Sequence, residues 1–443
     1  MAFIHGEARG QGTMFPVTLD ELIPGDHLCR VIEAFVQRVD MSVLQFVRAE
    51  AAETGRPGYD PRDLLKLYLY GYLQQVRSSR RLEAECKRNV EVMWLLGRLQ
   101  PDHKSIAEFR RLNGAAITET CAELVRFARQ VGLVRGEWVA IDGSKFQAVS
   151  SARHVAEREA AKRYLDRLDA ADQQDEMVID ESAVAEALKR LQEDAEPEAR
   201  FMRTRQGKLP AYNVQTAVDC EHAMVVAQQV TTEANDTGSL LPMAEAAQAA
   251  VGNPPVLHVV ADAGYSNGKQ AEACEQKGIL PHVPANRGVN NQGDGTLLER
   301  SQFTYDEASD TFRCPAGETL RRQGAQPDRH RVIYRASKKT CAACSRKPVC
   351  TQAQQRTVYR HIYEEALQRM QQRATAEAMR RRRCCAEHPF ASLKYRIFGH
   401  PRFLLRGLKG ARSELGLGVL AYNLKRMLKA MGAAALIRQL APA

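Results

Sequence analysis

The spacing of apolar residues changes near Glu137, and this change constrains the fold more than any other feature. Before it, apolar residues recur every three or four positions over residues 19–39, 60–76 and 105–133, which is the period of helices packed on one side. After it come the short apolar runs WVAI, LHVV and ILPHV, which have the length of buried strands. The pattern predicts an α/β fold, a mixed sheet with flanking helices that follows an all-helical region.

Residues 1–135 form the predicted helical region. A turn at residues 75–79 joins two short predicted helices, as in helix-turn-helix modules that place one helix in the major groove of DNA. Arg80 and Arg81 lie at the start of the second helix and are candidate phosphate ligands. An ordinary helical bundle is the alternative, because apolar spacing alone does not distinguish the two.

Two predicted strands each lead into an aspartate. Asp142 follows WVAI, and Asp262 closely follows LHVV, with a glycine within two residues of each. Cleavage of a phosphodiester with two Mg²⁺ ions requires several carboxylates that converge on metals about 3.5–4 Å apart. A single aspartate after a strand is more often a turn former or a helix cap. Asp219 and Asp236 are the competing acids if the strand order differs.

A third candidate acid lies in the segment RRRRCCAEHPFASLK. Arg383, Glu387 and Lys394 are spaced by four and by seven residues, which places them along one face of a helix. A carboxylate directed at metal with flanking cations directed at phosphates is what a DNA-cleaving site requires. The alternative is a solvated helix with an ordinary Arg–Glu pair.

Positive charge is concentrated toward the C-terminus. The chain carries a net charge of +10, whereas residues 353–443 contain 18 Lys and Arg against 5 Asp and Glu, an excess of +13. This distribution favours a polyanionic partner. Arg402 and Arg406 join Arg383 and Lys394 as candidate phosphate contacts. No apolar run reaches the roughly 18 residues of a membrane span, and the start MAFIHGEARG lacks the apolar stretch of a signal peptide.

Two segments interrupt the predicted sheet. Residues 153–208 are rich in Ala, Leu, Glu, Lys and Arg and predict a hairpin of two long helices linked near residues 172–179. A surface insertion is the simpler interpretation, and a dimer or DNA clamp is the alternative. Residues 288–353 change to turn residues and short β-like runs, which predicts a β insertion.

The β insertion contains four of the eleven cysteines, namely Cys314, Cys341, Cys344 and Cys350. The odd total and the adjacent Cys384 and Cys385 favour reduced thiols over a disulfide framework. The C-x2-C pair suggests one structural Zn²⁺ with four thiolate ligands, whereas the x5 spacing and the distant Cys314 are less regular than in a zinc ribbon. Buried thiols without metal are the alternative.

Several sequence blocks occur together and in order: YGYLQQVRSSRRLEAEC, PDHKSIAEFR, IDGSK, AYNVQTAVD, VVADAGYSN, AEHPFASLK and YNLKR. Over nearly its full length the chain resembles bacterial insertion-sequence transposases of the DDE superfamily, whose catalytic domain has the RNase H-like fold. The resemblance implies that Asp142, Asp262 and Glu387 form the metal-binding triad. Many relatives carry a Tyr, Arg, Glu, Lys signature, and Arg380 takes the place of the tyrosine here.

The resemblance also implies the organisation and the activity. Residues 1–135 would bind DNA, residues 136–287 and 354–443 would form the catalytic domain, and residues 288–353 would help hold the transposon end. Two Mg²⁺ or Mn²⁺ ions would support cleavage at terminal inverted repeats and transfer of the strands to target DNA. A homodimer on paired double-stranded ends and a place in the bacterial cytoplasm, at the nucleoid, are expected. A metal-dependent nuclease and a transposase-derived DNA-binding regulator without catalysis are the alternatives.

Overall fold

The computed structural model describes residues 17–50, 58–172, 181–285 and 297–441. The described N-terminal residues are helical. The helices are α1 (Leu28–Arg38), α2 (Pro61–Leu73), α3 (Ser79–Arg88), α4 (Val90–Leu95), α5 (His103–Leu112) and α6 (Gly114–Gln130).

Helix α2 shows how local sequence defines these elements. The Asp60 side chain accepts a hydrogen bond from the backbone N–H of Arg62 at 2.8 Å, and Pro61 begins the helix, a combination that favours helix initiation. The helix ends before Gln75, whose φ of +60° lies in the left-handed region. Ten of its thirteen residues are buried, so α2 is an interior helix.

The main sheet contains six strands in the described residues. They are β1 (Trp138–Gln147), β2 (Arg200–Thr204), β3 (Gly207–Asp219), β4 (Met224–Thr231), β5 (Leu257–Val260) and β6 (Ile279–His282). The order is β4-β3-β1-β5-β6, and β2 pairs with the first part of β3. β4, β3 and β1 are antiparallel neighbours, whereas β1, β5 and β6 are parallel.

Helices cover both faces of this sheet. They are α9 (Leu240–Ala250), α10 (Gly268–Gln276), α13 (Glu364–Arg373), α14 (Ala376–Ser392), α15 (Gly407–Met431) and α16 (Ala433–Leu440), and a π-helical turn over Leu393–Ile397 continues α14. Ala140 of β1 packs against Cys385 and Ala386 of α14. Its neighbours Val139 and Ile141 belong to the large core shared with α9, because successive strand residues face opposite sides.

One continuous core joins the N-terminal helices to the sheet. Buried side chains of α1, α2 and α6 belong to the same cluster as those of β1, β3 and α15. Helix α15 packs against both α2 and α6. The N-terminal helices are therefore integrated with the C-terminal helix.

Two segments separate strands of the main sheet along the chain, and the strand pairing departs from the predicted bounds 153–208 and 288–353. Residues 200–204 pair in the main sheet, and residues 357–361 pair in the second sheet. The first segment is the helical hairpin α7 (Ala152–Asp172) and α8 (Glu181–Gln192). The second holds a five-stranded antiparallel sheet, in the order β11-β10-β9-β8-β7. Its elements are β7 (Thr304–Asp306), β8 (Thr311–Arg313), β9 (Thr319–Gln326), β10 (Arg331–Arg335), α11 (Lys338–Ala342), α12 (Lys347–Cys350) and β11 (Thr357–His361). The hairpin link at residues 173–179 and the boundary at residue 288 lie outside the described residues.

The predicted α/β class with a mixed sheet is confirmed, and a second, antiparallel sheet accompanies it. β2, β9 and β11 were not predicted, because their sequences RFMRT, TLRRQGAQ and TVYRH contain few apolar residues. Within the described ranges, no helix is long and apolar enough to cross a membrane.

Candidate active site

The parallel pairing of β1 with β5 brings two of the predicted acids together. Ala140 is aligned with Val260, and Asp142 and Asp262 each follow two residues later. Asp142 lies within β1, which continues to Gln147, rather than at the end of the strand. Asp262 begins a 3-10 turn, and its Oδ1 accepts a hydrogen bond from the N–H of Gly264 at 2.8 Å.

A single guanidinium group spans these two aspartates. Nη2 of Arg382 lies 3.3 Å from Asp142 Oδ1 and 3.4 Å from Asp262 Oδ2. Arg382 is on the face of α14 that packs against the sheet, and its buried Nε has no hydrogen-bond partner among the described residues. The pair of carboxylates therefore accommodates a cation between them, and this donor set suits a divalent metal ion with oxygen ligands.

Asp142 is mostly buried, and its pKa reflects that position. Burial raises the pKa of Asp142 to about 6, and the positive charge of Arg382 opposes this increase. One guanidinium does not fully compensate the cost of burying the carboxylate charge. A cation of higher charge at the same place would stabilise the ionised form.

A hydrogen-bonded cluster lies beside the aspartates. Asp236 Oδ1 accepts from the side-chain amides of Asn213 and Gln215, each at 2.7 Å. Lys145 Nζ lies 3.4 Å from the same oxygen. Gly143 is required in this cluster, because a Cβ there would lie 2.4 Å from the Gln215 amide nitrogen.

The two competing acids have different positions. Asp236 adjoins the site, since its Oδ1 would lie 2.8 Å from a Cβ at residue 143. Asp219 is paired with Val139 at the other end of β1. Its carboxylate accepts from the backbone N–H groups of Gly136 and Glu221 at 2.9 and 3.0 Å. Asp219 therefore stabilises a turn, whereas Asp236 belongs to the surroundings of the candidate site.

Arg383, Glu387 and Lys394, which were predicted to share one helix face, lie in different environments. Lys394 Nζ donates to Ser144 Oγ at 2.5 Å, two residues from Asp142, and burial together with Arg205 lowers the pKa of Lys394. Glu387 and Arg383 are exposed. The carboxylates of Asp142, Asp262 and Glu387 are not all within 4.8 Å of one another in this structure.

Among the described residues, one group of three possible metal ligands does lie within 4.8 Å of one another: His27, Cys29 and Glu91. His27 Nδ1 accepts from the N–H of Cys29 at 3.3 Å, and Glu91 accepts from the hydroxyl of Tyr70 at 2.7 Å. His27 thus caps the start of α1, and Glu91 of α4 is held next to it by Tyr70 of α2.

The predicted DNA-contact arginines are exposed: Arg80, Arg81, Arg383, Arg402 and Arg406. The α2–α3 turn contacts the loop that follows α14. Gln75 Nε2 donates to the carbonyl of Arg396 at 3.1 Å, and Arg77 Nη1 donates to the carbonyl of Arg402 at 3.1 Å. The basic segments that contain Arg80 and Arg402 are thus adjacent in space.

The four cysteines of the β insertion line one pocket of about 450 Å³. None of the four is joined in a disulfide. The sequence left open whether the four cysteines meet, and in the structure they line the same pocket.

Sequence reasoning missed Arg382, Lys145, Asn213 and Gln215. For Arg382 the sequence offered four consecutive arginines, and spacing relative to Glu387 favoured Arg383. The alternation of polar residues in AYNVQ, at Asn213 and Gln215, is the sequence feature that indicates a polar patch on one strand face.

Two family models and one solved structure are similar to this chain. A family model described as "Transposase DDE domain" matches residues 140–424, and one described as "Transposase domain (DUF772)" matches residues 17–112. A cryo-EM structure of a piggyBac transposase synaptic complex with hairpin DNA is 8% identical, with coverage of 94% of this chain and 85% of that chain and a TM-score of 0.27. No curated protein matches the sequence.

Proposed function

The chain belongs to the transposase DDE domain family, and we propose that Asp142, Asp262 and Glu387 are the carboxylates that hold its catalytic metal ions. The chain is thus a DNA transposase of the DDE class. The observation that supports the proposed site is the position of Asp142 and Asp262 on neighbouring parallel strands, within reach of one cationic group.

The strand order supports a finer assignment of the fold. Three antiparallel neighbours followed by two parallel strands, β4-β3-β1-β5-β6, is the arrangement expected of an RNase H-like sheet. We assign residues 136–287 and 354–443 to this catalytic domain, with two changes at its insertions. β2 (Arg200–Thr204) pairs with β3 and stays with the main sheet, so the first insertion covers residues 153–199. β11 (Thr357–His361) pairs with β10, so the second insertion covers residues 288–361. Residues 1–135 are assigned to DNA binding.

The metal requirement follows from the chemistry of DNA cleavage. Two Mg²⁺ ions, or Mn²⁺, would activate the attacking water or 3′ hydroxyl and stabilise charge on the leaving oxygen. Asp142 and Asp262 would contribute ligands from the sheet and Glu387 from α14. Because the three carboxylates are not all within 4.8 Å of one another, a movement of the Glu387 side chain or of α14 toward the aspartates would accompany formation of the complete site.

The cations around the site have separate roles in this proposal. Arg382 balances the two aspartates in the metal-free protein and would turn toward a DNA phosphate when metal takes its place. Lys394, held by Ser144, would position the phosphate beside Asp142. Lys145 and Asp236 fix the part of β1 around Gly143, which keeps the Asp142 backbone in position.

The DNA would lie along the basic surface formed by Arg80, Arg81, Arg383, Arg402 and Arg406. Residues 394–406 contain four Lys and Arg residues and no acid, and the α2–α3 turn adjoins them. We propose that this surface binds terminal inverted repeats and target DNA, and that two copies of the chain hold paired ends. The proposed place of action is the nucleoid of a bacterial cytoplasm.

Cleavage and strand transfer on labelled element-end duplexes test the triad. Asp142→Asn, Asp262→Asn and Glu387→Gln should each reduce both reactions by at least roughly 100-fold with end binding retained, because each removes a metal ligand but no main DNA contact. Glu377→Gln is the matched control, since Glu377 is an exposed acid on the same helix and its loss should leave both reactions unchanged.

The products distinguish the alternatives. Joined products support a transposase, whereas cleavage without joining would indicate a nuclease, and binding without either reaction would indicate a regulator. A triad variant that cleaves at the wild-type rate would remove that residue from the site.

A further inference from the structure

The β insertion has a very small core of its own. Seven buried hydrophobic residues form it: Phe303, Phe312, Leu320, Val332, Tyr334, Ala336 and Val358. This cluster is separate from the core of the main sheet. Units with so few buried apolar side chains commonly depend on a disulfide or a metal for stability.

Three structural segments bring the four cysteines of the insertion to one pocket. Cys314 follows β8, Cys341 lies in α11 with Cys344 just after it, and Cys350 ends α12. All four line the same pocket of about 450 Å³. Long-range folding therefore converts an irregular sequence spacing into a local group of four thiols.

The backbone around Cys314 is a tight turn that presents the sulfur. The N–H of Cys314 donates to the carbonyl of Glu318 at 2.8 Å, and the N–H of Gly317 donates to the carbonyl of Cys314 at 2.8 Å. The N–H of Glu318 points at the Cys314 sulfur, at 3.3 Å. Gly317 has φ +84°, a conformation that favours glycine. The N–H group aimed at the sulfur would stabilise a thiolate.

Five of the other seven cysteines lie in a different environment. Cys29, Cys86, Cys121, Cys274 and Cys385 are buried as small hydrophobic side chains. The four in the insertion are partly exposed and lie on a common pocket, where Arg346 and Lys347 add positive charge. Cys314, Cys341 and Cys350 also pack against the small apolar core of the insertion, so a metal ion bound there would join that core to α11 and α12.

We propose that Cys314, Cys341, Cys344 and Cys350 bind one structural Zn²⁺, which ties α11 and α12 to the β8–β9 turn. Zinc prefers four thiolate ligands at about 2.3 Å in a tetrahedron. No three of the sulfurs lie within 4.8 Å of one another in this structure. Binding of all four sulfurs to one zinc ion therefore requires the α11–α12 segment to move toward the β8–β9 turn. The insertion becomes more compact on binding.

Metal analysis of the full chain purified under reducing conditions tests this directly. We expect about one zinc per chain, the number that one four-ligand site holds. Cys341→Ser combined with Cys344→Ser should abolish zinc binding. Cys220→Ser combined with Cys384→Ser is the matched control, because it removes two thiols outside the insertion and should leave zinc content unchanged.

Thiol alkylation with mass spectrometry gives a second readout that does not depend on a folded variant. In the zinc-loaded wild-type chain the four cysteines should resist alkylation, and a zinc chelator should expose all four together. Chelation should also make the insertion sensitive to limited proteolysis while the main sheet stays resistant. Absence of zinc after reconstitution with Zn²⁺, or alkylation of these thiols unchanged by the chelator, would overturn the proposal, as would disulfides among them in the freshly purified protein.

Discussion

Arg77 and Glu414 form a buried ion pair between the N-terminal turn and the C-terminal helix. Arg77 Nη1 lies 3.1 Å from Glu414 Oε2, with side-chain exposures of 8% and 0%. Glu414 also accepts a hydrogen bond from the backbone N–H of Leu404 at 2.7 Å. The pair therefore fixes the α2–α3 turn against α15 and against the basic loop that precedes α15.

Glu414→Gln should destabilise the protein by about 3 kcal/mol, because loss of one member of a buried pair leaves the partner's charge uncompensated. The free energy of unfolding measured in urea checks this value. Glu186→Gln is the control, since Glu186 pairs with Arg190 on the surface of α8 and such pairs contribute about 0–1 kcal/mol. Equal effects of the two substitutions would contradict the structural role of the buried pair.

Asp142→Asn should stabilise the metal-free protein above pH 6. The pKa of Asp142 is raised to about 6 by burial, so the folded form binds a proton more tightly than the unfolded chain. Stability therefore falls as pH rises from about 4 to about 6, and the cost persists at higher pH. The substitution should recover on the order of 1–2 kcal/mol.

Thermal unfolding in the presence of EDTA at several pH values measures this effect. The variant should melt higher than the wild type at pH 7.5 and show less dependence on pH between 4 and 6. Mg²⁺ should raise the melting temperature of the wild type and not that of the variant. A variant that melts lower than the wild type in EDTA would show that Arg382 fully stabilises the ionised Asp142.

Arg382→Gln should tighten the binding of Mn²⁺ in the absence of DNA, because the guanidinium group then no longer competes for the two aspartates. The partly exposed contacts suggest a gain of about 1 kcal/mol, roughly fivefold in affinity. Calorimetric titration measures it. Arg383→Gln, at the adjacent exposed position, should leave the affinity unchanged, and equal affinities of both variants would argue against a cation at the metal position.

Arg402→Ala combined with Arg406→Ala should reduce the salt dependence of duplex binding. Each phosphate contact contributes about −0.9 to the slope of log K against log salt, so the slope should become shallower by up to about 1.8. Arg126→Ala is the control, because Arg126 is exposed on α6 and already paired with Glu123. A slope unaffected by the double substitution would place the DNA on another surface.

Local sequence determined the elements that carry most of the candidate site. The apolar runs before Asp142 and Asp262 predicted β1 and β5, because a short apolar run bounded by turn residues is typical of a buried strand. The motif around Glu387 predicted a helix in the same way.

Tertiary structure alone decided which side chains meet. The rotation of α14 against the sheet directs Arg382, and not Arg383, toward the aspartates, and four consecutive arginines contain no information about that rotation. The approach of Asp236 to Gly143 depends on pairing between distant strands. The Arg77–Glu414 contact joins residues 337 positions apart. Periodicity records which face of an element is apolar, whereas contacts between elements depend on how those faces pack together.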